Sequence, residues 1–586
     1  MAEGEPITLT ATIALLGILP VAVLLFLFLP ARLAAAATYL AGWLFLPQAV
    51  IDVPGALPDW DRVTAIGLSV LGGVVVLNPA RLALLRPSLL DLPLVVYCLL
   101  VPLASSITNG LGAYDGFATA LNVSMSLFLP YLVGRMYFSD PAGLRALALT
   151  VFLAGLIYVP LCLWEIRMSP QLHRTIYGYH QHTFYQSYRM GGFRPIVFLQ
   201  HGLAVGMLMS CATLMGLWLW LSKSLGRWQA ELAAALGVLA VTTLLCKSLG
   251  ALLLLTAGVG TLLAVRHLGT ALPLLLLTAI PPTYMTVRSS GNWASESAVQ
   301  LVKDVASPER AQSFEFRLVN EDLLVGKALE QPLFGWGGWN RGKVENAAGK
   351  TAIADGMWVV VLSRNGLFGL VAFTLLYLIP VWLFVWRAGP ASGWSRPELA
   401  GGAALATMLA LYSIDNLMNA MFSPFNVLAM GGLIGWSLTR SPARPGGPAW
   451  NARPGGPAWN ARPGGPAWNT RAAGPGLTAN PLLGLRAAAL RRWGRAEVAR
   501  REALARRVAL ALPPALQAAY AARYQALLLT LDEAQLPGFM AAEPRAQREL
   551  VDRWLGLVAE PAAAPTGPAP GRQPGTGRQP GPEGPP

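Results

Sequence analysis

The chain has few charges for its length: 13% of its 586 residues are Asp, Glu, Lys or Arg, whereas 54% are hydrophobic. Soluble domains carry about 25% charged residues, so this deficit excludes an ordinary water-soluble protein. The apolar residues form blocks of about 16–25 residues, the length at which a helix crosses about 30 Å of hydrocarbon. Because these blocks lack the in-out alternation of barrel strands, we expect an all-α, polytopic bundle of transmembrane helices.

The predicted membrane domain covers 1–440 and contains about 12–13 spans. The candidate spans are 7–29, 33–52, 64–79, 91–108, 116–134, 146–166, 195–221, 231–246, 249–265, 271–287, 355–386, 399–414 and 424–439. No cleavable signal peptide is expected, because acidic Glu3 and Glu5 precede the first span in place of a basic region. Lys and Arg occupy alternate short connections, which predicts a cytoplasmic C-terminus and outward-facing loops at 167–194 and 288–354.

Cysteine is scarce as well, with four residues in the chain. These lie in or at the ends of apolar helices, far apart in sequence and without metal-ligand spacing: Cys98, Cys162, Cys211 and Cys246. The pattern predicts small core or lipid-facing residues rather than metal ligands.

Three further segments follow the membrane domain. Residues 441–481 contain three copies of the sequence Ala-Arg-Pro-Gly-Gly-Pro-Ala-Trp-Asn, whose proline and glycine content predicts an extended linker. We expect a small cytoplasmic helical region at 482–558, whose many arginines either cover a simple appendage or contact anionic lipid headgroups. Residues 559–586 are predicted to form a disordered tail. The net charge of +14 owes much to the whole segment after the membrane domain and to the cytoplasmic turns, so it does not by itself indicate a nucleic-acid partner.

A polar segment at 288–354 interrupts the apolar pattern. It carries charged residues followed by a run rich in glycine and tryptophan, and it ends at an acidic residue: Glu315, Arg317, Glu321, Asp322, Trp336, Trp339 and Asp355. A polytopic bundle does not need such a loop to fold. Charges beside aromatic rings at a membrane surface indicate a site for an anionic, partly sugar-like molecule.

Cations from three parts of the chain are predicted to meet on the outward face. Arg189, Arg194 and His201 lie in or just after the loop 167–194, Lys247 lies between two apolar segments, and Arg317 lies in the second loop. Charged residues at membrane depth are costly and are usually retained for a partner or a substrate. Two arginine forks and a mobile ammonium would suit a pyrophosphate. Alternatively, Lys247 snorkels at a helix end and His201 is a satisfied histidine of the bundle.

Tryptophans accompany these charges. Trp293, Trp336 and Trp339 offer flat apolar faces on which a sugar ring can lie. The alternative is that they belong to an aromatic belt at the membrane interface.

Over roughly 60–440 the chain resembles the superfamily of O-antigen ligases and of O-antigen or exopolysaccharide polymerases. The resemblance is strongest in Phe316-Arg317, in the turn Pro332-Leu333-Phe334-Gly335-Trp336-Gly337, and from Asp355-Gly356 through Arg364-Asn365-Gly366-Leu367-Phe368-Gly369-Leu370. Gly192-Phe193-Arg194-Pro195 and Lys247-Ser248-Leu249-Gly250 are similar to the family's two other recurring blocks, although the second usually reads Ser-Arg-Gly.

The resemblance implies a multi-pass glycosyltransferase of the bacterial inner membrane that takes its glycan from an undecaprenyl-pyrophosphate carrier outside the cytoplasm. It implies that Arg317 and Arg194 hold the pyrophosphate and stabilise it as the leaving group, and Asp355 is the third candidate catalytic residue. The substrate-binding residues would be Lys247, Arg189, His201, Trp336 and Trp339. No metal or other cofactor is expected, because fixed cations can stabilise a departing phosphate in place of a metal ion. Besides the lipid-linked glycan, membrane lipid and other polysaccharide-assembly proteins are the expected partners.

The sequence departs from the ligase branch at one position. Those enzymes carry a histidine in the long outer loop before the helix that starts here near Asp355, and residues 288–354 contain none. This favours a polymerase over ligation onto lipid A-core. Asp355 is the nearest candidate base, with Glu315, Glu321 and Asp322 as further carboxylates. The competing interpretation is that Asp355 caps the N-terminus of the following helix.

Two other classes of function remain open. A transporter or flippase for a lipid-linked or anionic solute would also need cations within the membrane, but the two halves of the chain show no convincing repetition. The tail could instead be the working module, although it offers no catalytic constellation.

Overall fold

The computed structural model of the chain describes residues 7–439 apart from 56, 190, 225–227, 291–299, 301–307, 339 and 346–350, together with 501–504, 525, 527 and 528. The chain divides into two compact units, 1–449 and 450–586. In the second unit, the Arg501 Nη1 donates to the Leu528 carbonyl at 3.1 Å. The predicted linker and tail, and most of the predicted helical region before the tail, lie outside the described residues.

The structure is mostly helical, at 77%. In the first unit the helices are α1 (Leu9–Phe28), α2 (Ala31–Phe45), α3 (Arg62–Leu77), α4 (Leu89–Thr108), α5 (Gly112–Tyr137), α6 (Pro141–Met168), α7 (Leu172–Tyr177), α8 (Gly202–Leu221), α9 (Gln229–Leu245), α10 (Leu249–Leu268), α11 (Leu272–Ser289), α12 (Pro308–Leu329), α13 (Met357–Arg387), α14 (Pro397–Met418) and α15 (Pro424–Thr439). Two antiparallel pairs of short strands accompany them, β1 (Val50–Ile51) with β2 (Trp60–Asp61) and β3 (Tyr188–Arg189) with β4 (Gly192–Phe193).

Eight of the described helices are long and apolar enough to cross a membrane: α1, α4, α5, α6, α8, α10, α13 and α14. The other predicted spans correspond to helices that are shorter or less apolar, namely α2, α3, α9, α11 and α15. The prediction of a helical, multi-pass membrane architecture is therefore confirmed. The predicted number of about 12–13 spans exceeds the eight that length and composition support in the described residues.

Helices at the centre of the unit differ from those at its edge. α8 and α14 are almost wholly enclosed, whereas most of α1 and α10 faces outward. α5 and α15 cross closely, because a Cβ at Gly134 would overlap the Leu428 carbonyl and a Cβ at Gly431 the Tyr131 carbonyl. Small residues at such crossings let helix backbones approach, which is how transmembrane helices gain packing energy. The four cysteines are buried and none forms a disulfide.

The start of α8 differs from the prediction. The predicted span began at residue 195, but the helix begins at Gly202. The Glu165 Oε2 accepts the amides of Ile196 and Val197, each at 2.8 Å, and Val197 has a φ of 53°. A buried carboxylate thus holds the preceding segment in a non-helical conformation, and the segment lies at the end of the bundle rather than within a longer span.

Candidate functional site

A break in α13 shapes one side of the site. Gly366 has φ 63° and ψ −165°, a conformation open essentially to glycine alone, and it interrupts the helix between Asn365 and Leu367. A Cβ at Gly366 would overlap the backbone of Leu333, in the glycine- and tryptophan-rich turn 332–337. The break therefore requires glycine both for its backbone angles and for the close approach of the turn.

The turn 332–337 supplies the hydrogen bonds that the broken helix loses. The amides of Trp336 and Gly337 donate to the carbonyls of Ser363 and Arg364 at 2.8 and 2.9 Å. In the other direction, the Leu367 amide donates to the Pro332 carbonyl at 2.7 Å, and the Phe368 amide donates to Leu333 at 3.2 Å. The two segments that carry the strongest family resemblance are thus one structural joint.

The helix α12, which precedes this turn, is anchored by a buried ion pair. The Arg288 Nε, at the end of α11, donates to the Glu321 Oε1 at 2.6 Å, and its Nη2 lies 2.8 Å from the Asp322 Oδ1. Glu321 also accepts from the Tyr284 hydroxyl at 2.9 Å and the Trp358 indole at 3.3 Å. Burial raises the pKa of Glu321, while these donors oppose the rise. Its contacts make Glu321 a structural anchor between α11, α12 and α13.

Arg317 and Asp355 face each other across a small pocket. The Arg317 Nε lies 3.4 Å from the Asp355 Oδ2, and its Nη1 donates to the Met418 carbonyl at 3.4 Å. The pocket holds about 260 Å³ of partly open space between α12, the start of α13 and the end of α14. Burial raises the pKa of Asp355 above its ordinary value, and the Arg317 charge lowers it in part.

The interpretation of Asp355 as a helix cap is wrong. The N-cap residue of α13 is Gly356, and Asp355 lies one residue earlier. Its carboxylate faces Arg317 instead. Asp355 therefore stays a candidate base, with a cation beside it.

Arg194 is enclosed beside the start of α10. The residue is 5% exposed, and its Nη2 donates to the Ser248 Oγ at 3.3 Å, while its Nε has no hydrogen-bond partner in the described part of the chain. Gly202 leaves room for it, because a Cβ there would lie 2.7 Å from the Arg194 Cδ. A buried guanidinium with an unmatched N–H is poised to donate to an anion.

Lys247 approaches the β3–β4 strand pair. Its φ of 52° is rare for a residue with a Cβ, and its Nζ lies where a Cβ of Gly192 would be. Gly192 is the register partner of Arg189. Lys247 thus lies close to the strand pair that carries Arg189. Its neighbour Ser248 accepts the hydrogen bond from Arg194.

Polar side chains hold the segment between Arg194 and α8 in place. Gln181 donates to the carbonyls of Val197 and Leu199 at 2.9 and 3.2 Å. Arg62, which is 5% exposed, donates to the Gln200 side chain at 2.7 Å and stacks over the Trp43 ring at 3.7 Å. Together with Glu165, these groups fix the backbone that carries Arg194.

Electrostatics joins the two halves of the site. Burial and, to a smaller extent, the charges of Arg189 and Arg317 together lower the pKa of Arg194 to about 10, while Cys246 opposes them. Burial likewise lowers the pKa of His201 to about 3, with contributions from Arg194, His182, Arg189 and Arg317. The positive charge of Arg317 therefore acts on Arg194 and His201 and disfavours their charged forms.

Two predicted substrate-binding residues have structural contacts. The His201 Nδ1 accepts the Leu203 amide at 2.9 Å and so caps α8. The Trp336 indole donates to the Lys327 carbonyl at 2.8 Å, and the Lys327 ammonium lies 4.0 Å from the ring centroid. A sugar could therefore stack only on the other face of Trp336. Trp293 and Trp339 lie outside the described residues.

Sequence reasoning missed three charged residues that build the site. Glu165, Arg62 and Arg288 lie near the ends of helices, and each is buried. The sequence pattern did not predict a role for them. A lone charge in an apolar helix is a signal in itself, because it must find a partner. That signal marks the residue without naming the partner, which lies more than 30 positions away for Arg288.

The arrangement places four cations and a carboxylate at one end of the bundle. Arg189, Arg194, Lys247 and Arg317 come from three separate segments, and α8 and α10 both begin beside them. Helix N-termini and guanidinium groups both favour phosphate oxygens. No group of three or more His, Cys, Asp or Glu that could hold a metal occurs in the residues described.

Comparison with known proteins adds no relative. No protein-family model matches the chain, and no curated protein matches it significantly.

Proposed function

We propose that this protein is a membrane glycosyltransferase of surface polysaccharide assembly that polymerises glycan from an undecaprenyl-pyrophosphate carrier. The observation that carries the proposal is the gathering of Arg189, Arg194 and Lys247 beside the starts of α8 and α10, with Arg317 near enough for its charge to act on Arg194. Such a cluster suits a pyrophosphate attached to a membrane lipid.

The chemistry needs one base and a stabilised leaving group. The acceptor hydroxyl oxygen attacks the anomeric carbon of the donor glycan, and the bond from that carbon to the phosphate oxygen breaks. The electron pair leaves with the lipid pyrophosphate, whose charge Arg194 and Arg317 stabilise. The hydroxyl proton passes to Asp355, the carboxylate beside Arg317. Fixed cations take the part that a metal ion plays in other phosphate chemistry, so the proposal includes no metal.

The proposal places the site on the periplasmic face of the bacterial inner membrane. Lys247 precedes α10 and Arg266 lies in its last turn, so these two residues mark opposite ends of a helix of about 30 Å. Arg266 belongs to a basic connection that the positive-inside rule places in the cytoplasm, which supports a periplasmic Lys247. The same rule supports a cytoplasmic C-terminus. About 12–13 spans, counted from the lengths of the apolar runs, and contact with other polysaccharide-assembly proteins complete the proposal.

The ligase remains the alternative within this chemistry, since the same cations would hold the same donor. A broken helix supports transport when its free backbone groups can bind a solute. The break in α13 does not offer such groups. Here the turn 332–337 of the same chain takes up the freed backbone groups, so they are not available to coordinate a solute.

The test is reconstitution of the purified protein in proteoliposomes with an undecaprenyl-pyrophosphate-linked oligosaccharide. We expect longer glycans and free undecaprenyl pyrophosphate. Arg194→Ala and Arg317→Ala should each lower the rate about 100-fold, since a lost donor at the leaving phosphate costs on the order of 3 kcal/mol. The matched control is Arg266→Ala, which removes a cation from the other end of α10 and should leave the rate unchanged.

Three outcomes distinguish the alternatives. Product only after lipid A-core is added would identify a ligase. Movement of the lipid-linked glycan across the bilayer without a new glycosidic bond would identify a flippase. Normal polymer from Arg317→Ala at equal protein abundance would contradict the proposed role of the cation cluster.

A further inference from the structure

Helix α12 exposes apolar side chains although it is not among the helices apolar enough to cross a membrane. Phe316 and Val319 are 49% and 51% exposed, and Leu329 is 46% exposed on the same broad side of the helix. Asp322 and Glu330 share that side, and each has an ion-pair partner, Arg288 and Lys327 respectively. Exposure of large apolar side chains to water is unfavourable, so we expect this side of α12 to contact another apolar surface.

The contacts of α12 show how it lies relative to the membrane bundle. Its middle binds the end of α11 through Arg288, and it binds the end of α14 through Arg317 and the Met418 carbonyl. The turn that follows α12 bonds to the break in α13. The ends of α11 and α14 lie at one end of the bundle, so a helix that contacts both runs across that end rather than through the bundle.

The break in α13 fixes the depth of this end. The part of α13 from 367 to 387 is about 30 Å long, which matches the hydrocarbon core of a bilayer. Gly366 and the turn bonded to it therefore lie at the boundary between hydrocarbon and headgroups. The C-terminal end of α12, three residues before the turn, therefore lies close to this boundary.

The apolar surface continues from α12 onto α13. Leu333 is 54% exposed, and Leu367 and Phe368 are each 51% exposed. The Phe334 and Phe368 rings stack with centroids 5.2 Å apart, so the turn and the spanning helix present one surface. The surface that lipid covers on α13 is thus continuous with the exposed side of α12.

We propose that α12 is an interfacial helix whose exposed side, Phe316, Val319 and Leu329, inserts among the lipids at the surface of the bilayer. Amphipathic helices that lie in the membrane plane bury such a side about 5–10 Å into the headgroup and acyl boundary. Lys327, beside Glu330 and Trp336, then lies at headgroup level. If the function proposed above holds, the insertion puts Arg317 at the depth of the pyrophosphate of a lipid-linked donor.

The test measures depth directly and needs no substrate. Phe316→Cys, Val319→Cys and Leu329→Cys are spin-labelled one at a time in proteoliposomes, and the collision rates with oxygen and with a water-soluble nickel chelate are compared. Leu253→Cys, 60% exposed on the spanning helix α10, is the lipid control, and exposed Lys343→Cys is the water control. The four native cysteines are buried, so the unmodified chain gives the background.

We expect an oxygen-to-nickel ratio at the three α12 positions several-fold above that at Lys343→Cys and close to that at Leu253→Cys. Ratios equal to that of the water control would overturn the insertion of α12. Because no glycan is present, the result is the same whether or not the protein is a glycosyltransferase. A lipid-like ratio in a chain without polymerase activity would leave this inference standing and refute only the proposed function.

Discussion

Arg194 and Arg317 bind their surroundings in different ways, and the difference separates their roles. Arg194 is enclosed, with its Nη2 on Ser248, whereas the Arg317 side chain is 30% exposed and borders the pocket. Burial and mutual repulsion both disfavour the charged state of Arg194. A phosphate placed between the two arginines would relieve that repulsion, so the cluster is better suited to hold an anion than to stand alone.

Replacing Arg317 by lysine tests whether the fork geometry matters. Arg317 reaches the Asp355 carboxylate through its Nε and the Met418 carbonyl through its Nη1, and the single nitrogen of a lysine does not reproduce this planar geometry. We expect Arg317→Lys to slow polymer formation by about 10-fold or more in the proteoliposome assay. Arg266→Lys is the control and should be neutral. Equal rates for Arg317→Lys and the unmodified protein would show that charge alone suffices.

The pH dependence of the rate tests Asp355 as the base. Only the ionised carboxylate can accept a proton, so activity is present above the pKa of Asp355 and is lost as the pH falls through it. Burial raises that pKa above the ordinary value of 3.8, so the loss should begin at a higher pH than for an exposed aspartate. The measurement is the rate of polymer formation against pH in proteoliposomes.

Asp355→Asn supplies the comparison for this experiment. The amide keeps the size of the side chain but cannot accept the proton, so the variant should bind the donor lipid without transferring the glycan. Any residual rate should lack the acidic decline. A near-normal rate, or the same acidic decline in the variant, would remove Asp355 from the mechanism.

At the scale of elements, the joint between the turn 332–337 and α13 is sensitive to a single methyl group. Gly366→Ala forces a residue with a Cβ into a conformation that costs about 1–3 kcal/mol and overlaps the Leu333 backbone. We expect a lower thermal unfolding temperature in detergent and faster proteolysis between α12 and α13. Gly237→Ala in α9, where a Cβ would meet open space, should be neutral or slightly stabilising. Equal stability of the two variants would contradict the joint.

The sequence predicted the apolar helices and the helix starting near 357 well, because long apolar runs leave few alternatives in a membrane. It placed the start of α8 seven residues too early, because it could not show that Glu165 binds the amides of Ile196 and Val197. It likewise offered Glu321 as a base, since the partner that occupies it, Arg288, belongs to another helix. Pairings between distant segments depend on how the helices pack, and they cannot be read from a single sequence.

At the scale of the whole molecule, the orientation of the bundle decides where the site acts. We expect Thr439, at the end of α15, to lie in the cytoplasm, so a reporter that works only in the cytoplasm should be active when it is fused after this residue. One inserted near Asn346 should behave as periplasmic. Alkaline phosphatase and a cytoplasmic fluorescent protein at both positions provide the measurement and the reciprocal controls. A result that places both positions on one side of the membrane would contradict the proposed periplasmic location of the site residues.

The hydrogen-bonded joint between the turn and α13 also limits how the pocket can open. Four backbone hydrogen bonds tie the turn after α12 to the break in α13, whereas the Arg317 side chain contacts α14 through one long hydrogen bond to the Met418 carbonyl. We therefore expect the turn and the break in α13 to stay together when a bulky molecule enters the pocket, and the contact between Arg317 and Met418 to part first.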